Sequence, residues 1–168
     1  FVIGPERRVL HAERVEEALR ESEERYRSLF NGMTEGFALH EIICDEKGVP
    51  CDYRFLDINP AFEMLTGLRR ENVVGKTMSQ ILPDDDPKWI KIYGEVALTG
   101  KAVHFENYAP VLKRHYEVFA YCPAPHQFGV LFMDITARKE AEAALRESEA
   151  RLKRSQEMAK LGSWELDL

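Results

Sequence analysis

The sequence predicts an α+β domain: a five-stranded antiparallel sheet with helices on one face, flanked by two further helices. Three observations lead there. Short runs of alternating apolar and polar residues occur in the order two, then three, with a helical middle between them. Turn-forming residues separate the runs. A helical segment near the start of the chain returns near its end.

With 168 residues, 45% of them hydrophobic, the chain can close one core of ordinary size. Its formal net charge is −6, from 23 Lys+Arg against 29 Asp+Glu, and no basic face stands out. That balance argues against nucleic acid as a partner. Apolar runs such as Gly129 to Met133 are too short to cross a bilayer, and no leader is read at Phe1. Cys44, Cys51 and Cys122 have no CxxC spacing, although Cys44 and Cys51 flank a turn and could face each other across a hairpin. Reduced thiols in a cytoplasmic protein are the expectation.

The repeat sets the organisation. Glu17-Ala-Leu-Arg-Glu-Ser-Glu-Glu-Arg-Tyr26 returns as Ala143-Ala-Leu-Arg-Glu-Ser-Glu-Ala-Arg-Leu152, and the same offset carries Gly36 onto Gly162. A module is therefore expected to begin again at residues 161–168, making the chain a segment of a tandem array. Both copies are rich in Ala, Leu, Glu and Arg and lack Gly and Pro, so helices are expected over 12–30 and 137–160. Val15, Leu19, Ser22, Tyr26 and Leu29 are spaced four, three, four, three; Ala141, Leu145, Ser148 and Leu152 keep that spacing. This is the a/d seam of a coiled coil, which favours a homodimer through the flanking helices over a helix packed on its own domain. Residues 1–11 are read as the end of an upstream element.

Between the helices, Gly36 to Ile43 and Tyr53 to Ile58 alternate as strands around the turn Asp45-Glu-Lys-Gly48. Asn59 and Pro60 stand at the N-cap and first position of a short helix that Gly67 closes. Glu71 to Leu82 reads as one-turn helices, and Pro87 to Leu98 has helical spacing ending at Gly100. Strands follow over Lys101 to Tyr108, Lys113 to Cys122 and Phe128 to Asp134.

Five stretches, in this order and spacing, carry a family resemblance: Tyr53-Arg-Phe-Leu-Asp-Ile-Asn-Pro-Ala-Phe62, Leu65-Thr-Gly67, Asn72-Val-Val-Gly-Lys76, Ile81-Leu-Pro83 and Asp134-Ile-Thr-Ala-Arg138. Together they resemble a PAS domain of the S-box type over about residues 24–136. Leu161-Gly-Ser-Trp-Glu165 resembles the opening of another. The resemblance implies a sensory module of a multi-PAS signalling protein, with a sensor histidine kinase expected as the parent.

At the last stretch Asp134 ends a strand and Thr136 is placed to cap a helix beginning at Ala137. No slack residue separates sheet from helix, so a twist of one must move the other. The resemblance implies that Asp134, Thr136 and Arg138 relay the state of the sheet to the outgoing helix.

It also implies a ligand pocket between sheet and helices. Strand parity, with Glu106 and Glu117 outward, turns Phe105, Asn107, Tyr116, Val118, Val130 and Phe132 toward the helices. Phe62, Leu65, Ile90 and Tyr93 are expected to close the other side; the alternative is that these side chains simply fill a core. Flavin-binding relatives carry a reactive Cys where this chain has Asn59-Pro-Ala-Phe62, and haem-binding relatives a His on the helix that here spans Pro87 to Leu98 without one. The sequence therefore names no cofactor. His40, His104, His115 and His126 fall on strands or turns without metal-ligand spacing, with His104 and His115 on neighbouring strands. Asp84-Asp-Asp86 is read as acid favouring a helix start rather than as a metal site.

No phosphate-cradling Gly loop, nucleophile elbow or phospho-accepting His motif occurs, so catalysis is not expected of this segment. Three functions follow. The first is a sensing or dimerising relay to neighbouring PAS and output domains, without nucleic-acid or membrane contact. The second is a ligand-free spacer in a tandem array. The third keeps the relay but puts a cyclic-di-nucleotide synthase or phosphodiesterase downstream.

Overall fold

A computed structural model describes residues 5–83, 86–110 and 112–165 of the chain. Helix α1 (Pro5–Gly32) leads into strands β1 (Gly36–Cys44) and β2 (Pro50–Ile58). Four helices follow: α2 (Pro60–Thr66), α3 (Arg70–Val73), α4 (Met78–Ile81) and α5 (Lys88–Thr99). Strands β3 (Val103–Ala109), β4 (Arg114–Tyr121) and β5 (Gln127–Asp134) come next, then helix α6 (Thr136–Glu165). The strands make one antiparallel sheet in the order β2-β1-β5-β4-β3, an α+β arrangement as expected. Among the described residues no helix is long and apolar enough to cross a membrane.

The chain divides into two compact units, Phe1–Val103 with Phe119–Phe132, and His104–Val118 with Met133–Leu168. In the first, β1 pairs with β2 on one side and β5 on the other. Alternation along β1 sends Ala38, His40 and Ile42 into the core, where Tyr53, Phe55, Ile58, Phe62, Val73, Val96 and Phe128 are also buried. Asn59 organises the join between β1, β2 and α2. Its side-chain oxygen accepts from the backbone N–H of Phe37 (2.8 Å) and of Phe62 (2.9 Å), and its amide donates to Glu35 O (2.9 Å). It is thus the expected N-cap of α2, and Gly67 closes that helix at φ 77°. On α5, Gly94 leaves room for the ring of Pro50, since a Cβ there would stand 2.4 Å from Pro50 Cγ.

In the second unit, Tyr116, Val118 and Ile135 are buried, and α6 runs out with its residues exposed beyond the first turns.

Several boundaries differ from expectation. β2 begins at Pro50 rather than Tyr53, because Cys44 pairs with Pro50 across a bulge that periodicity does not reveal. α1 begins at Pro5 rather than residue 12, Pro being at home in a first helical turn. The three residues before α5 hold one correction: the helix starts at Lys88, with Pro87 as its N-cap. Finally, α6 continues through 161–165, where the repeat offset predicts the approach to a new strand. The upstream residues 1–4 and the last residues, 166–168, lie outside the described residues, as do Asp84 and Asp85.

Candidate functional site

The junction of strand and outgoing helix lies within the second unit. Ile135 donates its N–H to His115 O (2.8 Å) and accepts from Lys139 N (2.9 Å), so it stands as the last residue before α6. Thr136 is already inside the helix, which corrects its expected role as the cap. Its hydroxyl oxygen instead accepts from the backbone N–H of His115 in β4 (2.9 Å). The capping acceptor is Asp134, whose Oδ1 takes the Thr136 N–H (2.9 Å). Sequence spacing alone could not separate these roles, because Asp and Thr are both good helix starters and the β4 donor comes from 21 residues away.

Charges reinforce the joint. Arg114 pairs with Asp134 at 3.1 Å. The Asp134 carboxyl is held below the ordinary carboxylate range, first by the Thr136 side chain, against the cost of desolvation, then by the Thr136 backbone and Arg114. One turn on, Arg138 reaches Glu106 of β3 at 2.9 Å and Glu117 of β4 at 3.3 Å. Lys139 also pairs with Glu106, and Glu117 also meets His104 at 2.9 Å. The two glutamates expected to prefer solvent thus converge on the first turn of α6. Each pair is at least partly exposed, so each contributes modestly by itself; the network fixes direction more than it adds stability. His104 and His115 do not pair with each other: His115 lies 4.8 Å from the Tyr108 ring.

The expected pocket residues fall in both units. In the first, Phe62 and Val130 are buried, and Leu65, Ile90, Tyr93 and Phe132 half-buried. Phe62 meets Phe132 edge-on at 5.6 Å, and Tyr93 stacks on Phe128 at 5.0 Å. In the second, Tyr116 and Val118 are buried, and Phe105 and Asn107 half-buried.

Sequence reasoning passed over His40. Its ring stacks on Phe128 and lies against Phe55, both at 4.5 Å, with Tyr53 at 5.1 Å. It is 4% exposed, and its Nδ1 has no hydrogen-bond partner. Burial lowers its pKa to about 3, against a raising contribution from a hydrogen bond with the Phe128 backbone. The signal was available: Glu41 on the outward parity of β1 puts His40 inward.

A surface cleft of about 700 Å³ lies where α1 meets the domain, lined by Tyr26, Phe30, Asp57, Pro60, Glu63 and Arg70 among others. Arg70 is fixed there by an ion pair with Asp57 and a bond to Ile58 O (2.8 Å). None of the expected pocket residues lines it. Among the described residues no three His, Cys, Asp or Glu side chains gather as a metal site.

Residues 24–98, from the last turns of α1 to α5, match the family model of the PAS domain. The chain carries a PAS domain. Two solved structures agree on the fold. The PAS domain of an HTR-like protein from Haloarcula marismortui is 17% identical, with a TM-score of 0.52, over 73% of this chain and 99% of that one. A domain of a sensory box sensor histidine kinase/response regulator from Geobacter sulfurreducens is 17% identical, with a TM-score of 0.51, over 69% and 96%. The PAS domain of BvgS from Bordetella pertussis is 22% identical, with a TM-score of 0.48, over 81% and 98%. No curated protein matches the sequence. In this chain, then, a strand-to-helix junction is tied down by side chains from β3, β4, β5 and α6.

Proposed function

We propose that this PAS domain is a non-catalytic sensory relay that passes a change in its sheet to α6, within a cytoplasmic portion of a sensor histidine kinase. The observation that carries the reading is the Arg138 contact with both Glu106 and Glu117. A shear between β3 and β4 would pull those carboxylates apart, and the first turn of α6 would follow. Asp134 and Thr136 remove the slack that would otherwise absorb the motion. The kinase setting draws on the Geobacter sulfurreducens protein, which is a sensor histidine kinase/response regulator by name.

The working form is a homodimer joined through the flanking helices, with further PAS or output domains in the same chain. Val15, Leu19, Tyr26 and Leu29 on α1, and Leu145 and Leu152 on α6, are all more than half exposed at a/d spacing. Rows of large apolar groups left in water at that period suit the matching row of a second copy.

Hydrogen exchange tests the relay. Arg138→Ala is expected to speed exchange in the first turns of α6 while the strands stay protected; unchanged exchange there would refute it. The second reading, a ligand-free spacer, is favoured by the dense aromatic packing around Phe128. Native mass spectrometry separates the two. A small molecule released on denaturation makes the domain a ligand sensor; an empty dimer leaves a ligand-free module in which the helices are the working parts.

A further inference from the structure

The end of the β1–β2 hairpin brings two thiols together. The strands pair regularly from His40 opposite Phe55 to Ile43 opposite Asp52, then shift so that Cys44 stands opposite Pro50. Cys51 is the extra residue of the resulting bulge, so Pro50 and Cys51 both face Cys44. The Cys51 thiol turns toward β1, its Sγ 3.4 Å from Ile43 O, the carbonyl bonded directly to the Cys44 nitrogen. The Cα partner of Cys44 is Pro50, and the bulge places Cys51 immediately beside that partner. Both cysteines are free; Cys44 is half-buried and Cys51 exposed.

The turn is already set for closure. Asp45 Oδ1 accepts from the N–H groups of Lys47 and Val49 (both 2.9 Å), and Asp45 N donates to Val49 O (2.9 Å). Cys122, by contrast, has its thiol against the carbonyls of Ala124 and Ala97.

We propose that Cys44 and Cys51 form a redox pair, reduced at rest and closed to an intramolecular disulfide by a peroxide. The exposed Cys51 thiolate attacks one peroxide oxygen; the O–O bond breaks, hydroxide leaves and takes up the thiol proton as water, and Cys51 becomes a sulfenic acid. The Cys44 sulfur then attacks the Cys51 sulfur and displaces the hydroxyl, which leaves with the Cys44 proton as a second water. Two thiols lose two electrons, and one hydrogen peroxide becomes two waters. The bond would pin Pro50, and through the Pro50–Gly94 contact it would hold the hairpin end against α5.

Peptide mapping of the unmodified chain tests this, because Lys47 lies between the two cysteines. The protein is treated with hydrogen peroxide, thiols are blocked, and trypsin is used without reductant. The expected result is that most Cys51 is recovered in a peptide joined to the Cys44 peptide and separated by reductant. In Cys44→Ser the link is expected to vanish and Cys51 to be trapped as sulfenic acid by dimedone. Recovery of Cys51 chiefly as an over-oxidised, intermolecular or Cys122-linked peptide would overturn the proposal. So would unmodified Cys44 and Cys51 under conditions that oxidise a free small thiol completely.

Discussion

A neutral imidazole walled in by Tyr53, Phe55 and Phe128 makes His40 an acid-sensitive point in the fold. Its pKa falls from 6.5 to about 3, first because burial penalises the charged ring. Between those values the unfolded chain binds a proton that the folded chain refuses. The stability that this protects is complete above about pH 6.5 and is lost as pH falls toward 3, at up to about 1.4 kcal/mol per pH unit. His40→Phe keeps an aromatic ring on Phe128 and removes the titrating group. Urea midpoints at pH 7 and 4.5 are expected to lie closer together in that variant than in the natural chain. Asn59 is a second such residue. Asn59→Ala strips acceptors from two backbone N–H groups and a donor from Glu35 O, and a loss of about 3 kcal/mol is expected in denaturant titration. Asn59 was legible from the sequence because a cap is a local motif with Pro60 beside it. His40 was less so: parity gives its direction, but whether a buried histidine finds a partner depends on side chains far along the chain.

At the scale of the element, the junction of β5 and α6 is the part with consequences. Thr136→Ala removes the hydroxyl that accepts from His115 N–H and that helps hold the Asp134 carboxyl low. The expected cost is roughly 1 kcal/mol, with faster hydrogen exchange at His115 as well as in the first turn of α6. A mere helix cap would loosen α6 alone, so the His115 amide is the informative probe. Asp134 works in the usual carboxylate direction: its contribution is present above the ordinary carboxylate range and is lost as pH falls through its lowered value. The bounds of the elements were readable at Asn59, Gly67 and Gly100, where a cap or a glycine marked them. They were missed at Cys44 and Pro50, because a bulge satisfies pairing geometry rather than any local preference.

For the whole molecule the exposed seams of α1 and α6 set the expected behaviour. Leu19→Glu with Leu29→Glu places charges at two seam positions that are 59% and 68% exposed in the single chain. Sedimentation equilibrium is expected to show a dimer for the natural chain and a monomer for the double variant, with the far-ultraviolet spectrum of the sheet domain retained. A helix that packs only on its own domain would leave the association state unchanged.

Sequence alone determined the order of elements, the α+β class, the two long helices and the family, because these rest on periodicity, caps and motifs carried by neighbouring residues. Tertiary structure alone decided that Glu106 and Glu117 meet on Arg138, that Thr136 answers His115, that His40 is sealed among aromatic rings, and that a bulge sets Pro50 opposite Cys44 with Cys51 as its extra residue. Each of these joins residues distant in the chain or hangs on a one-residue slip in strand register. Local preference, which a sequence displays, does not encode which partners such groups will find.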